Sequence, residues 1–461
     1  MRRLAIDNPA TEETAYEIEL LDASGIEALV RKAVSGARAI RSTSIEERIA
    51  LCERFCGVFQ RDAEPIAIEI TRQMGKPINE AHREVATMID RARAMMSFAP
   101  AALAETVLPP KAGFERRIEK VPVGIVLDIA AWNYPLLIAV NVVVPAVLAG
   151  NAVVLKHSSR TPLCGTRFAD AFRAAGAPDG VVSAFAADHD VTAALVRRPE
   201  VGYVAFTGSV HGGREVSEAA AGRFIDVGLE LGGKDPAYVR ADADIAYAAA
   251  EVADGALYNA GQSCCAIERV YVDRRVHAAF VDALLEETKK RVAADPAAET
   301  TNLGAIAQAS GLAVIRRHVE EAVAKGARLL TGGRAVKLEG RGRFFEATVL
   351  DGATHEMAVM MEETFGPVAP VMAVDGDDQA VALMNDSPYG LTASIWSRDV
   401  ERSRALAGRI EAGTVFLNRC DYLDPALPWS GWKDSGIGVT LSAAGFDRLV
   451  RTRGHHYRLP G

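Results

Sequence analysis

The sequence predicts an α/β protein of two domains, each built on a parallel sheet wrapped by helices. Three observations predict it. A chain of 461 residues is too long for one compact core, and two domains is the ordinary division at that length. From Gly124 to Glu230, short apolar runs rich in β-branched residues alternate with helical segments, the pattern of a parallel sheet with crossover helices. A second series of the same kind runs from Pro236 to about Asp434.

The elements follow in order. Ser24 to Leu103 reads as helical, and within it STSIEERIALCERF sets a Ser or Thr cap ahead of apolar residues at helical spacing. Cys52 and Cys56 lie four apart in this pattern, on its buried side. After Pro109 and Pro110, FERRIEKVPVG alternates apolar and charged residues and reads as a strand. GIVLDIA, AVVLK, VVSAFA, VGYVAFTG and FIDVGLEL are the strands of the first series, with helices beginning near Pro135, Thr161, Asp190 and Val210. The second series holds RVYVDRRV, helices near His277 to Val292 and Leu312 to Lys325, then ARLLTGG, VAPVMAV, LTASIW and GTVFLN. The tail DRLVRTRGHHYRL reads as a strand that pairs elsewhere.

Composition narrows the function classes. Apolar residues at 49% and charged residues at 24% are those of a soluble globular protein. A net charge of -8 with no long basic run argues against nucleic acid as a partner. Six cysteines are no disulfide framework, which predicts a cytoplasmic protein. The N-terminus starts basic but lacks the continuous apolar core of a signal peptide. The longest apolar stretch, Leu136 to Gly150, holds an Asn and a Pro and is too short for a bilayer. It reads as a buried helix, so no membrane span is expected.

Four pieces carry chemistry. The first is YNAGQSCCAIERV, with adjacent Cys264 and Cys265. Adjacent cysteines rarely bond to each other, because the bridge is strained. The pair is therefore either packed in a core or reactive, and a thiol that titrates near ~8.5 needs help to react at neutral pH. The second is LELGGKDP, in which Glu230 ends an apolar strand. That carboxylate is either satisfied locally or a general base in a dry pocket. The third is AAWNYPLL followed by NAVVLKHSSRTP: the Asn133 amide could donate to a developing oxyanion, and Lys156 could reach a ribose. The fourth is FTGSVHGGREV, a Gly-rich turn from strand to helix whose amides could face a phosphate. It does not follow the G-x-G-x-x-G dinucleotide pattern. No metal site is suggested.

Taken together, WNYP, FTGS, LELGGK, GQSC, EETFGP and KDSGIG, in this order, resemble the NAD(P)-dependent aldehyde dehydrogenase superfamily. The resemblance runs from NPATEE to the C-terminal strand. The spacings of Glu230 to Cys264 and of Asn133 to Lys156 match the family as well. It implies a Rossmann-like NAD(P)-binding domain (residues 1–104 and 123–234) and a catalytic domain (235–434). An oligomerisation arm with a C-terminal strand (105–122 and 435–461) is also implied, and with it a homodimer or homotetramer.

The resemblance also implies roles. Cys264 is the nucleophile, Asn133 and the Cys264 amide hold the oxyanion, and Glu230 activates water to hydrolyse a thioester. NAD or NADP is the cofactor, with Trp132, Lys156, Ser159, Gly208, Ser209, Leu231, Glu363 and Phe365 around it. Cys265 is a pocket wall, with Tyr134, Ile138, Asn141, Leu423 and Trp429.

Four residues depart from the family pattern. Ala131 replaces a frequent Pro, which predicts a looser turn. Ser159 stands where NAD-preferring members carry Glu, which predicts dual cofactor use, with Lys156 meeting the 2′-phosphate and Arg160 or His157 as candidate helpers. Trp429 and Ser430 replace Phe-Gly. Asn141 stands where succinate-semialdehyde members carry Arg. Because Asn141 brings no positive charge, the expected substrates are neutral aliphatic or aromatic aldehydes. Arg419, Asp421 and Asp424 read as solvated loop charges. Two competing readings are a CoA-acylating semialdehyde dehydrogenase, whose members lack the Glu of LELGGK, and a catalytically silent binding protein on the same scaffold.

Overall fold

The structure is a computed structural model that describes residues 2–460. An N-terminal hairpin, Arg3–Asp7 with Thr14–Glu19, leads into four helices, Ile26–Arg41, Ile45–Arg61, Ala63–Met74 and Ile78–Ala102. The expected cap is Ser44. Its hydroxyl accepts from the Glu47 amide and the Glu47 carboxylate accepts from the Ser44 amide, a reciprocal capping box. Gly75, at φ +81°, ends the third helix in the left-handed conformation, and Pro77 precedes the fourth. Cys52 and Cys56 are fully buried in the first core, beside Phe55, which stacks on Phe172 at 4.3 Å.

The fourth helix packs on Pro135–Leu148, the long apolar stretch, which is buried along nearly its whole length. Its buried face carries Val85, Met88, Ala92 and Met95 at helical spacing. The same face buries Glu80, Glu84 and Arg91. Charges in a buried stripe are costly unless they are paired or used.

The first sheet has six strands in the order 436–437, 226–230, 201–207, 125–130, 152–157, 182–185, parallel except for the short first one. The second has seven, in the order 328–331, 348–351, 368–374, 267–273, 235–239, 392–396, 414–417, parallel except for the first. Each sheet has its own apolar core. Among the described residues no helix is long and apolar enough to cross a membrane.

The C-terminal segment divides in two, which its expected assignment to an arm did not show. Gly436–Ile437 pairs with Leu229–Glu230 of the first sheet, and Phe446 and Leu449 are buried in the first core. Their apolar side chains draw 435–449 inward. Only Val450–Arg458 runs as an outlying strand, antiparallel to Phe114–Pro122 in a three-stranded sheet with Thr106–Val107.

Candidate active site

Cys264, Glu230 and Asn133 lie where two cavities meet, and all three line both. One cavity, of about 310 Å³, is bounded also by Tyr134, Ile138, Asn141, Cys265, Leu423 and Trp429. The other, of about 190 Å³, is bounded also by Trp132, Gly208, Ser209, Leu231, Glu363 and Phe365. A group held at Cys264 is thus reachable from two sides, the arrangement needed when two molecules must meet over one atom.

Local backbone geometry aims the cysteine. After Leu257 the chain takes three successive left-handed residues, Asn259, Ala260 and Gly261. At Gly261 a Cβ would sit 2.2 Å from the Gly366 carbonyl oxygen, so GQSC can pack against EETFGP only through glycine. Gly233 does the same for LELGGK: a Cβ there would lie 2.1 Å from the Cys264 carbonyl. The buried Gln262 side chain donates to the Asn259 and Ala305 carbonyls and accepts from the Ala307 amide, each at 2.9–3.1 Å. The motif places Gln262 there; its clamping role is a matter of which loops fold over it.

A buried ion pair joins three motifs. Lys234 donates to Glu268 at 2.5 Å and to the Thr364 hydroxyl at 3.0 Å, with both charged side chains at or near zero exposure. The Glu268 carboxylate also accepts from the Thr364 and Phe365 amides, at 2.7 and 2.8 Å. Glu268 is a residue the sequence did not single out.

Asn133 is held by its carbonyl, which accepts from Lys76 at 2.8 Å and from the Asn259 side chain at 3.1 Å. Lys76 is paired in turn with Glu84, whose other oxygen accepts from the Leu136 amide. The turn expected to be loose because of Ala131 is therefore clamped from two elements. The Asn133 side-chain amide has no partner among the described residues and is free to donate into the cavities.

Glu230 accepts from two hydroxyls, Thr440 at 2.5 Å and Thr207 at 3.2 Å. Burial raises its pKa; the two hydroxyls and the Arg91 charge oppose that rise. Thr440 arrives on the returning segment after Gly436, far from Glu230 in sequence.

On the smaller cavity, Trp132 and Phe365 meet edge to face at 5.5 Å. Glu363 accepts from the Gly233 amide at 3.0 Å, and burial pushes its carboxyl up to about 8. Ser209 caps the helix Val210–Ala220, accepting from the Gly212 amide. Lys156 lies near the end of its strand, largely buried and without an ion pair among the described residues, and burial lowers its pKa; Ser159 beyond it is exposed. Neither bounds the smaller cavity itself. Two suggested helpers are ruled out by their partners. His157 bonds the Pro135 carbonyl and the Thr161 hydroxyl in the interior, and burial lowers it to about 4. Arg160 is engaged by Asp7 and the Gln73 carbonyl, anchoring the N-terminal hairpin.

On the larger cavity, two readings need correcting. Asp421 is not a solvated loop charge: it faces the cavity, accepts from the Cys265 thiol at 2.8 Å, and is pushed up to about 7 by burial. Arg419 is exposed, as expected of a loop charge, and stacks on Tyr422, 3.5 Å from the ring centroid, without itself lining the cavity. The cavity nevertheless holds a guanidinium, Arg91, supplied by the helix Ile78–Ala102. The expectation of neutral substrates rested on the absence of such a charge, and that premise fails. Arg91 was hidden in a segment read only as helical.

The Lys234–Glu268 pair gives a direct prediction. Glu268→Gln strands a buried ammonium and is expected to cost about 3–5 kcal/mol of unfolding free energy. Lys234→Met with Glu268→Gln removes the stranded charge and is expected to recover part of it. Urea unfolding of both variants decides, and a double variant no more stable than the single one would show that charge burial is not the cause.

The profile of the aldehyde dehydrogenase family matches residues 2–454. An aldehyde dehydrogenase of Paenarthrobacter nicotinovorans is 34% identical, the match covering 98% of each chain. The succinate semialdehyde dehydrogenase [NAD(P)+] Sad of Escherichia coli K12 is 35% identical over 95% of this chain and 94% of its own. The crystal structure of an NAD-dependent aldehyde dehydrogenase from Sinorhizobium meliloti superposes with a TM-score of 0.96 at 33% identity, over 99% of this chain and 92% of that one. The family profile and relatives of this identity and coverage show that this chain belongs to the aldehyde dehydrogenase family and is an oxidoreductase that acts on aldehydes.

Proposed function

We propose that the protein oxidises its aldehyde to a carboxylic acid through a covalent thioester on Cys264, using either NAD or NADP. The observation that carries this is that Cys264, Glu230 and Asn133 all line both cavities. The aldehyde enters from the larger one. The Cys264 sulfur adds to its carbonyl carbon, and the Asn133 side-chain amide and the Cys264 backbone amide donate to the oxyanion. A nicotinamide bound in the smaller cavity supplies the hydride acceptor. The acyl group then remains on Cys264 as a thioester. Glu230, held by Thr440 and Thr207, takes a proton from the water that attacks it, and the acid leaves.

The smaller cavity fits a dinucleotide. The Trp132 and Phe365 rings and the free carboxyl edge of Glu363 suit a nicotinamide riboside. The first amides of the helix Val210–Ala220 suit a pyrophosphate, and the unpaired Lys156 suits the adenosine ribose. The relatives' names, one NAD(P)+ and one NAD-dependent, agree with either cofactor. Glu230 with its two hydroxyl partners favours water over CoA as acyl acceptor, and the intact trio argues against a silent scaffold.

Rapid mixing tests the mechanism with three variants. Cys264→Ala is expected to give no reduced cofactor, whereas Cys265→Ala still does. Glu230→Gln is expected to retain the first burst but stall in steady state, since only hydrolysis needs the base. In the wild type the raised pKa of Glu230 sets the acid limb of turnover above the ordinary carboxylate range, because only the deprotonated form is a base. Unchanged turnover in Glu230→Gln would remove it from the mechanism.

Cofactor choice rests on Ser159. A carboxylate there, ~4 Å from a 2′-phosphate, would repel each unit of its charge by about 4 kcal/mol at an effective dielectric near 20, less with solvent at this exposed position. Ser159→Glu is therefore expected to lower kcat/KM for NADP at least ~tenfold, or about 1.4 kcal/mol, with little change for NAD. A wild type that favours NAD more than a hundredfold would show that another residue reads the ribose.

We also propose a homo-oligomer joined through the outlying three-stranded sheet, whose edge strand Val450–Arg458 is exposed. Light scattering is expected to give a dimer or tetramer mass, and a monomer after deletion of 450–461. A monomeric full-length chain refutes it.

A further inference from the structure

We propose that Arg91 and Tyr134 form an anion subsite in the larger cavity, and that the preferred aldehyde carries a carboxylate at its far end. This deepens the preceding reading and rests on Cys264 as the reacting residue.

Arg91 is only 6% exposed, yet it makes no ion pair among the described residues. Its Nε has no hydrogen-bond partner, and Nη1 reaches only the Asn141 side-chain oxygen at 3.4 Å and the Leu137 carbonyl at 3.5 Å, both at the limit of a hydrogen bond. A guanidinium cannot shed its proton to escape burial. Left so, it costs stability. Tyr134 bounds the same cavity, and its hydroxyl is likewise buried and unpartnered among the described residues. Both groups have hydrogens to donate, and a carboxylate has oxygens that accept from both at once. Asn141 fits this scheme: it brings no charge of its own but steadies the arginine that does.

The cavity also holds carboxylates, and most of them are already spent. Glu84 is paired with Lys76, and Asp254 with Arg291. Glu80 accepts from the Asn259 amide, and Asp421 from the Cys265 thiol; burial holds both near 7, so their charge is partial at neutrality. Glu230 belongs to the reacting end. Arg83 and half-buried Glu251 also line the cavity. The cavity volume, about 310 Å³, admits a short chain rather than a large one.

The test compares two series of equal chain length: 4-oxobutanoate, 5-oxopentanoate and 6-oxohexanoate against butanal, pentanal and hexanal. At its best length the wild type is expected to favour the oxo acid at least tenfold in kcat/KM. Arg91→Met is expected to lower that ratio at least tenfold, chiefly through KM for the oxo acid, and Arg91→Lys to restore part of it. As a binding readout, glutarate is expected to raise Tm of the wild type but not of Arg91→Met. Equal losses in both series would overturn the proposal, leaving Arg91 to act through Glu230 or the fold. A wild type that favours the neutral series at every length overturns it too. If neither series is oxidised, the proposed mechanism fails, while an Arg91-dependent glutarate shift still upholds the subsite.

Discussion

The site depends on one buried ion pair. Lys234 and Glu268 are almost fully removed from water, where two charges are tolerable only if their remaining donors and acceptors are met. They are met by Thr364 and Phe365, in the segment that carries Glu363. Lys234 immediately follows the two glycines that touch Glu363 and the Cys264 loop, and Glu268 opens the strand after Cys264. The pair therefore fixes three segments of very different sequence position against one another. If it moved, Cys264, the Glu363 side chain and the strand end bearing Glu230 would lose their common frame.

The opposite wall is organised by one helix, Ile78–Ala102. Its buried stripe carries three charges with three different fates. Glu84 meets Lys76 and, through it, steadies the Asn133 carbonyl. Glu80 accepts the Asn259 amide and so braces the left-handed turn before Cys264. Arg91 meets nothing of comparable strength. Two of the three charges are absorbed in holding the backbone at Asn133 and Asn259, and the third is left for whatever enters the cavity.

How much of this was legible in the sequence depends on what each residue needs. The parallel strands were visible because both faces are buried and their apolar runs are nearly continuous, as in GIVLDIA and AVVLK. The motif residues were visible because glycines with one permitted geometry, such as Gly233 and Gly261, punctuate them. Arg91, Asp421, Glu268 and Thr440 were not. Each is an ordinary residue type in an ordinary local pattern, and its burial is created by a segment distant in sequence: Cys265 meets Asp421 across 156 positions and Glu230 meets Thr440 across 210. The hairpin at 335–345 was missed for a related reason, since its strands are short and its first is half exposed.

The two adjacent cysteines show how such distant partners separate like residues. Cys264 is half-buried and lines both cavities, whereas Cys265 is buried and lines only the larger one. The Cys265 thiol also donates its hydrogen to Asp421. Ionising that thiol would put a thiolate beside a carboxylate and remove the bond between them, and its pKa is raised well above the usual thiol range by Cys264, burial and the Asp421 charge. A nucleophile needs the opposite surroundings. The chain thus sets two thiols side by side, and Cys264 itself, burial and an aspartate from a distant loop together keep the second protonated, so that the covalent chemistry proposed for Cys264 has no competitor within the same turn.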